Sequence, residues 1–251
     1  MCTISPFPRI SYHTTKGNPV RTFDEISAVI RLAHKYNIQQ VQEQALASLQ
    51  DLGFVTSFSA YSNPPESSPL ALDPWFNIAV VNIARLTKTP SLLPLALFRC
   101  AYLGGELVDG WAHKDGTIEH LAKLDLRRCV DGHAALMHEY TVFLFALLDD
   151  AVSADCARPT TCAAKLRSMQ RNAVCSEGLA LQHDPLQDWA TVVKSIEDAG
   201  TVCGSCAREM AVRARNGQKA IFDKLPEIFG IEVEGWGTEQ AATGVVAAEG
   251  E

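Results

Sequence analysis

Residues Phe23–Phe54 read FDEISAVIRLAHKYNIQQVQEQALASLQDLGF and predict two amphipathic helices joined by a tight corner. Thr22 and Glu25 have the spacing of a capping box, which opens the first helix. Asn37 has the side chain of a good N-cap, so the second helix is expected to begin there. The first helix places apolar residues on one face at Ile26, Val29, Ile30 and Ala33. The second does so at Ile38, Val41, Ala45, Leu49 and Leu52, and both faces need partners elsewhere in the chain.

The rest of the chain also predicts helices. Asp73 and Pro74 begin a helical pattern that Thr89-Pro90 ends, and a second helix follows directly. A short helix at Leu126–Val130 and a longer one from Gly132 to Asp150 come next, and three more helices follow. No stretch shows the period-two alternation of a confident strand. We therefore expect an all-α fold, in which a small N-terminal helical pair precedes a larger helical bundle.

Turn-forming and proline-rich stretches divide this pattern into segments. From the N-terminus we expect an irregular strap (1–22), the helical pair (23–62), a linker (63–72), a helical bundle (73–150), a cysteine-containing helical region (151–236) and a disordered tail (237–251).

Three of these segments resemble one known family. The run RLAHKYNI at Arg31–Ile38, the helix–Thr-Pro–helix pattern at Asn82–Cys100 and LPEIFGI at Leu225–Ile231, with Trp236 beyond it, are similar to BTB/POZ domain-containing proteins of mushroom-type fungi. The resemblance implies a protein-interaction function of the adaptor or scaffold kind. Because nothing before Phe23 matches the BTB core, we expect the C-terminal portion of such a protein with that core truncated. The usual dimer interface would then be missing, which predicts a monomer or weak self-association.

Composition limits the function classes. The chain has 251 residues, of which 47% are hydrophobic and 20% charged, so it is globular in character. A net charge of −7 argues against nucleic acid as a partner. We find neither a membrane-spanning apolar run nor a secretory signal, and we expect an intracellular protein, cytoplasmic or nuclear. Its eight cysteines would then stay reduced, where clustered cysteines favour metal or redox chemistry.

The cysteines provide the one constellation with chemical potential. Cys203 and Cys206 form a CxxC pair at the start of a predicted helix, while Cys156 and Cys162 lie upstream with five residues between them. A structural zinc site takes four such ligands, usually as two pairs. The resemblance also implies a metal site, because related fungal sequences carry cysteine pairs at similar places. Two alternatives stay open: four separate reduced thiols, or a thiol–disulfide redox site.

No motif of an established enzyme class is present, since the sequence lacks a P-loop, a GxGxxG loop and an HExxH helix. We assign no catalytic residue and no cofactor other than one structural Zn²⁺. The leading hypothesis is a non-enzymatic protein–protein interaction module that binds a protein partner. The alternative is a zinc- or thiol-dependent enzyme built on Cys156, Cys162, Cys203 and Cys206.

Overall fold

The computed structural model describes residues 22–64, 73–113, 115–175 and 184–238. Nine α-helices account for most of these residues: α1 (Phe23–Lys35), α2 (Gln39–Asp51), α3 (Phe58–Ser62), α4 (Phe76–Thr87), α5 (Leu93–Ala101), α6 (Lys123–Leu147), α7 (Pro159–Cys175), α8 (Trp189–Asp198) and α9 (Gly204–Ile228). One small antiparallel hairpin joins β1 (Trp111–Ala112) to β2 (Ile118–Glu119). The predicted all-α fold is confirmed. Most of the predicted strap, linker and tail (1–21, 65–72 and 239–251) lies outside the described residues.

The α1–α2 corner forms differently from the prediction at one residue. Thr22 and Glu25 make the predicted capping box, with each side chain bonded to the other's backbone N–H. Asn37, however, does not cap α2. Its φ of 54° is left-handed, and the N–H groups of Asn37 and Ile38 donate to the carbonyls of His34 and Ala33. This Schellman arrangement ends α1, because asparagine tolerates a left-handed backbone better than most residues. The helix α2 therefore begins at Gln39 without a side-chain cap.

The apolar faces of α1 and α2 are covered unequally. Ile26 and Ile30 of α1 and Ala45 and Leu49 of α2 are buried in a core that residues of α4–α9 share. The predicted stripe of α2 is wrong at its N-terminal end, where Ile38 is 49% and Val41 39% exposed. The later turns of α2 reach the core, whereas Ile38–Val41 at its start are exposed. The domain boundaries inferred from the sequence remain a prediction.

The helices α4 and α5 form the centre of the core. Their apolar residues fall on all sides of each helix, a pattern typical of a helix that other helices surround. In α5 every residue except Arg99 is buried. Phe23 at the start of α1 stacks on Phe76 at the start of α4, with ring centroids 4.5 Å apart, and Trp111 packs edge-on against both rings.

The predicted break between two helices near Gly132 is wrong, because α6 runs unbroken through it. A Cβ on Gly132 would lie 2.4 Å from the Phe229 ring at the end of α9. The absence of a side chain at Gly132 therefore lets α6 pack closely against the end of α9, and this glycine does not end a helix. Asp125 lies buried in the first turn of α6. It accepts hydrogen bonds from Arg85 of α4 and from Arg128. No helix among the described residues is long and apolar enough to cross a lipid bilayer.

Candidate metal centre

Four cysteines from three parts of the chain meet near the N-termini of α7 and α9. Cys156 lies in the connection between α6 and α7, and Cys162 lies in the first turn of α7. Cys203 occupies the N-cap of α9, and Cys206 lies in its first turn. The CxxC spacing places both of these sulfurs at one helix end. The structure thus brings together all four residues that the sequence predicted as ligands.

The four Sγ atoms all lie within 4.8 Å of one another. The Sγ atoms of Cys156 and Cys203 are 3.6 Å apart, far beyond a bonded disulfide distance, and all four thiols are free. Tetrahedral Zn–S bonds of about 2.3 Å would place ligand sulfurs roughly 3.8 Å apart. The donor set and its spacing therefore fit a metal ion bound by four sulfurs, and the cluster could hold one.

Backbone groups around the cluster favour negative charge on sulfur. Backbone hydrogen bonds from Cys206 and Ala157 lower the pKa of Cys203 to about 6. Burial raises the pKa of Cys206 to about 12 and also raises that of Cys162, although backbone hydrogen bonds from Ser153 and Cys203 act in the opposite direction. The positive ends of the α7 and α9 dipoles add to this field. Without a cation, mutual repulsion and burial limit how many of these thiols can ionise together.

Burial makes the centre a closed one. Cys162 and Cys206 are buried, and Cys156 and Cys203 are half-buried. Four cysteines fill a tetrahedral coordination sphere, whereas a catalytic zinc keeps one position for water or substrate. The arrangement is therefore suited to holding chain segments together and unsuited to Lewis-acid catalysis.

A second polar site was missed by the sequence reasoning. Arg99 of α5 lines a cavity of about 820 Å³ that residues of α3, α4 and α9 also border. One signal in the sequence could have indicated it: Arg99 is the only charged residue in the apolar helix LPLALFRCA. A charge in such a helix is rarely buried without a partner or a purpose.

Comparison with known proteins finds no family model, no curated protein and no solved structure that matches this chain.

Proposed function

We propose that this chain is a non-enzymatic protein-interaction module whose C-terminal helices are held by one structural Zn²⁺. The convergence of four cysteine sulfurs within 4.8 Å carries the proposal. Four-sulfur tetrahedral sites select zinc or iron, and a closed four-cysteine site is the usual form of structural zinc. The ion would join the α6–α7 connection to the first turns of α7 and α9.

The closed site favours a structural role over the enzymatic alternative. A zinc-dependent enzyme needs an open coordination position, and a four-cysteine site has none. A thiol-dependent enzyme needs an accessible thiolate, and only the half-buried Cys203, whose pKa is lowered to about 6, has that character. In the proposed site this sulfur is a metal ligand.

An exposed apolar surface at the α1–α2 corner supports the interaction part of the proposal. We name it the corner surface and define it as Leu32, Tyr36, Ile38 and Val41. Leu32, Tyr36 and Ile38 are 54%, 65% and 49% exposed, and Val41 is also exposed. Grouped exposed apolar side chains often mark protein-binding sites. Three of these residues fall within the RLAHKYNI run that resembles BTB/POZ proteins.

Elemental analysis of protein purified under reducing conditions without chelator tests the metal assignment. We expect one zinc per chain in the wild type, a large loss in Cys206→Ser and no loss in the matched control Cys100→Ser. Cys100 is a buried α5 cysteine outside the cluster. Iron in place of zinc would support the four-cysteine site and change the identity of its metal. Less than about 0.1 zinc per chain, with no uptake on reconstitution, would contradict the site, because structural zinc binds tightly.

Quantitative affinity capture with mass spectrometry tests the corner surface. The variant Tyr36→Asp places a charge in the corner surface. Val130→Asp is the matched control, because Val130 is a 61% exposed residue of α6 outside that surface. We expect a specific protein that the wild type and Val130→Asp retain and that Tyr36→Asp loses. Purified partner should then bind the wild type directly in calorimetry. Equal capture by all three proteins would rule out the corner surface as the binding site.

A further inference from the structure

The cavity beside Arg99 has the size and the lining of a small-molecule site. Its volume of about 820 Å³ lies within the range of ligand pockets. Phe58, Tyr61 and Trp189 provide aromatic walls, and Leu52, Val55 and Leu186 add aliphatic surface. A few polar groups interrupt these walls, as is usual where a pocket orients its ligand.

Arg99 is the main charged group of the cavity and has few partners. Its Nη2 donates to the carbonyl of Gly53 at 3.2 Å, and its guanidinium lies over the Phe54 ring, 4.6 Å from the centroid. Within the described part of the chain this guanidinium makes no other hydrogen bond and no ion pair. A guanidinium carries five N–H donors, so most of its capacity remains for an acceptor in the cavity.

Two further polar groups border the same space. Arg215 of α9 lies over the Phe58 ring at 5.5 Å and makes no ion pair among the described residues. Asn77 of α4 is only 3% exposed, and its Nδ2 donates to Pro74 O. Among the described residues, the Oδ1 of Asn77 has no hydrogen-bond partner. A buried acceptor without a donor is uncommon in folded proteins, and here it adds a polar group to the wall of the cavity.

The carboxylates near the cavity leave Arg99 and Arg215 available. Asp188 lines the cavity, but its oxygens accept from the backbone and hydroxyl of Thr191 at the start of α8. Asp184 accepts from Leu186 N and is close enough to attract Arg99 electrostatically, without forming an ion pair with it. Asp184 thus reduces the positive potential at Arg99 and does not occupy its donors.

We propose that this cavity binds a small organic anion with a planar apolar body, whose acidic group pairs with Arg99 and Arg215 and whose ring packs among Phe58, Tyr61 and Trp189. Arginine is well suited to carboxylate recognition because its planar fork can donate two parallel hydrogen bonds. None of the four cysteines lines the cavity, and its α9 residues lie beyond Cys206. The proposed anion site therefore does not depend on the proposed metal.

Calorimetric titration with naphthalene-2-carboxylate tests the site on the full chain, and naphthalene-2-carboxamide is the uncharged match. We expect the carboxylate to bind at least about tenfold more tightly than the amide, and Arg99→Met to lose at least about tenfold in affinity for the carboxylate. Arg208→Met is the control, because this exposed α9 arginine donates to Ser205 and does not line the cavity. It should bind as the wild type does.

Asp184→Asn gives a result that misfolding cannot imitate. Removing this negative charge should increase the affinity for naphthalene-2-carboxylate several-fold and leave the affinity for the amide nearly unchanged. No binding to the wild type would overturn the proposal. Equal affinities for acid and amide would also overturn it, as would binding that is insensitive to both Arg99→Met and Asp184→Asn.

Discussion

Leu144 lies on the buried face of α6 and is 6% exposed. We expect Leu144→Ala to lower the free energy of unfolding by about 2–5 kcal/mol, because it removes buried methyl groups and leaves a cavity. Val142 of the same helix is 53% exposed. Val142→Ala should therefore change stability by less than about 0.5 kcal/mol. Denaturant unfolding of the two variants checks this, and a similar small effect in both would place Leu144 outside the core.

Asp184 is expected to make stability depend on pH. Burial raises its pKa from 3.8 to about 6, although the Leu186 N–H and Arg99 oppose the rise. Folding therefore favours the protonated carboxyl of Asp184. Its stabilising contribution to the free energy of unfolding is fully present below the pKa of the unfolded chain, and it is lost as pH rises through about 6. Neither Arg99 nor the nearby tyrosines Tyr61, Tyr102 and Tyr140 titrate in this interval.

The variant Asp184→Asn, which cannot ionise, tests this expectation. It should be more stable than the wild type at pH 7, and the difference should nearly vanish at pH 4. We expect roughly 1 kcal/mol at pH 7, because solvent reaches this half-buried carboxylate and reduces the penalty. Urea unfolding at both pH values measures the difference. A variant that is less stable than the wild type at pH 7 would show that ionised Asp184 stabilises the fold.

At the scale of elements, the α6–α9 pair is held by reciprocal glycine–phenylalanine contacts. Gly132 of α6 faces Phe229 at the end of α9, and Gly217 of α9 faces Phe143 of α6. A Cβ on either glycine would come within 2.4 Å of a ring atom. The two helices can therefore approach closely only because these positions have no side chain.

Gly217→Ala tests this interface. Overpacking against the buried Phe143 ring should cost roughly 1–3 kcal/mol, more than the about 1 kcal/mol that alanine gains over glycine within a helix. Thermal unfolding should therefore show a net loss of stability. Gly105→Ala is the control, since a Cβ there meets nothing within 4 Å. In a Phe143→Leu background the same Gly217→Ala change should become neutral or stabilising, and an unchanged cost would place the strain elsewhere.

Element boundaries were predicted well where local chemistry decides them and poorly where packing decides. The capping box at Thr22 depends on residues three positions apart, so the sequence revealed it. The sequence predicts that a new helix begins near Gly132, whereas α6 runs through this residue. The ring that makes this glycine necessary belongs to Phe229, 97 positions later in the chain. No local pattern carries that information.

At the scale of the whole molecule, the two candidate sites differ in how far the sequence predicts them. The four-cysteine cluster was predictable because CxxC is a compact local signal that marks one half of it. The cavity was not, because its lining comes from segments as distant as Gln50, Arg99 and Gln218, most of them ordinary residues. The charge of Arg99 in an apolar helix is the one local signal of the cavity, and its surroundings become visible only in three dimensions.

The four-cysteine cluster and the rest of α9 depend on different contacts, so removing the proposed metal should have local effects. The later part of α9 is held by the Gly217–Phe143 and Phe229–Gly132 contacts and by the ion pair of Lys224 with Glu139. The connection before α7 has only half-buried apolar residues, Val152 and Cys156, packed against the core. Arg213 of α9 donates to the carbonyls of Asp149 and Ala151 and holds the start of that connection, and the proposed ion would hold its later part around Cys156.

Hydrogen–deuterium exchange of zinc-loaded and chelator-treated protein under reducing conditions tests this division. We expect amides within about residues 152–166 and 200–207 to exchange at least tenfold faster after zinc removal, because local opening there no longer breaks metal–sulfur bonds. Amides of α4, α5 and residues 214–228 should keep their protection, since their burial does not involve the ion. Accelerated exchange throughout α4 and α5 would mean that the metal stabilises the entire core. Unchanged exchange at 152–166 would mean that this connection is ordered without it.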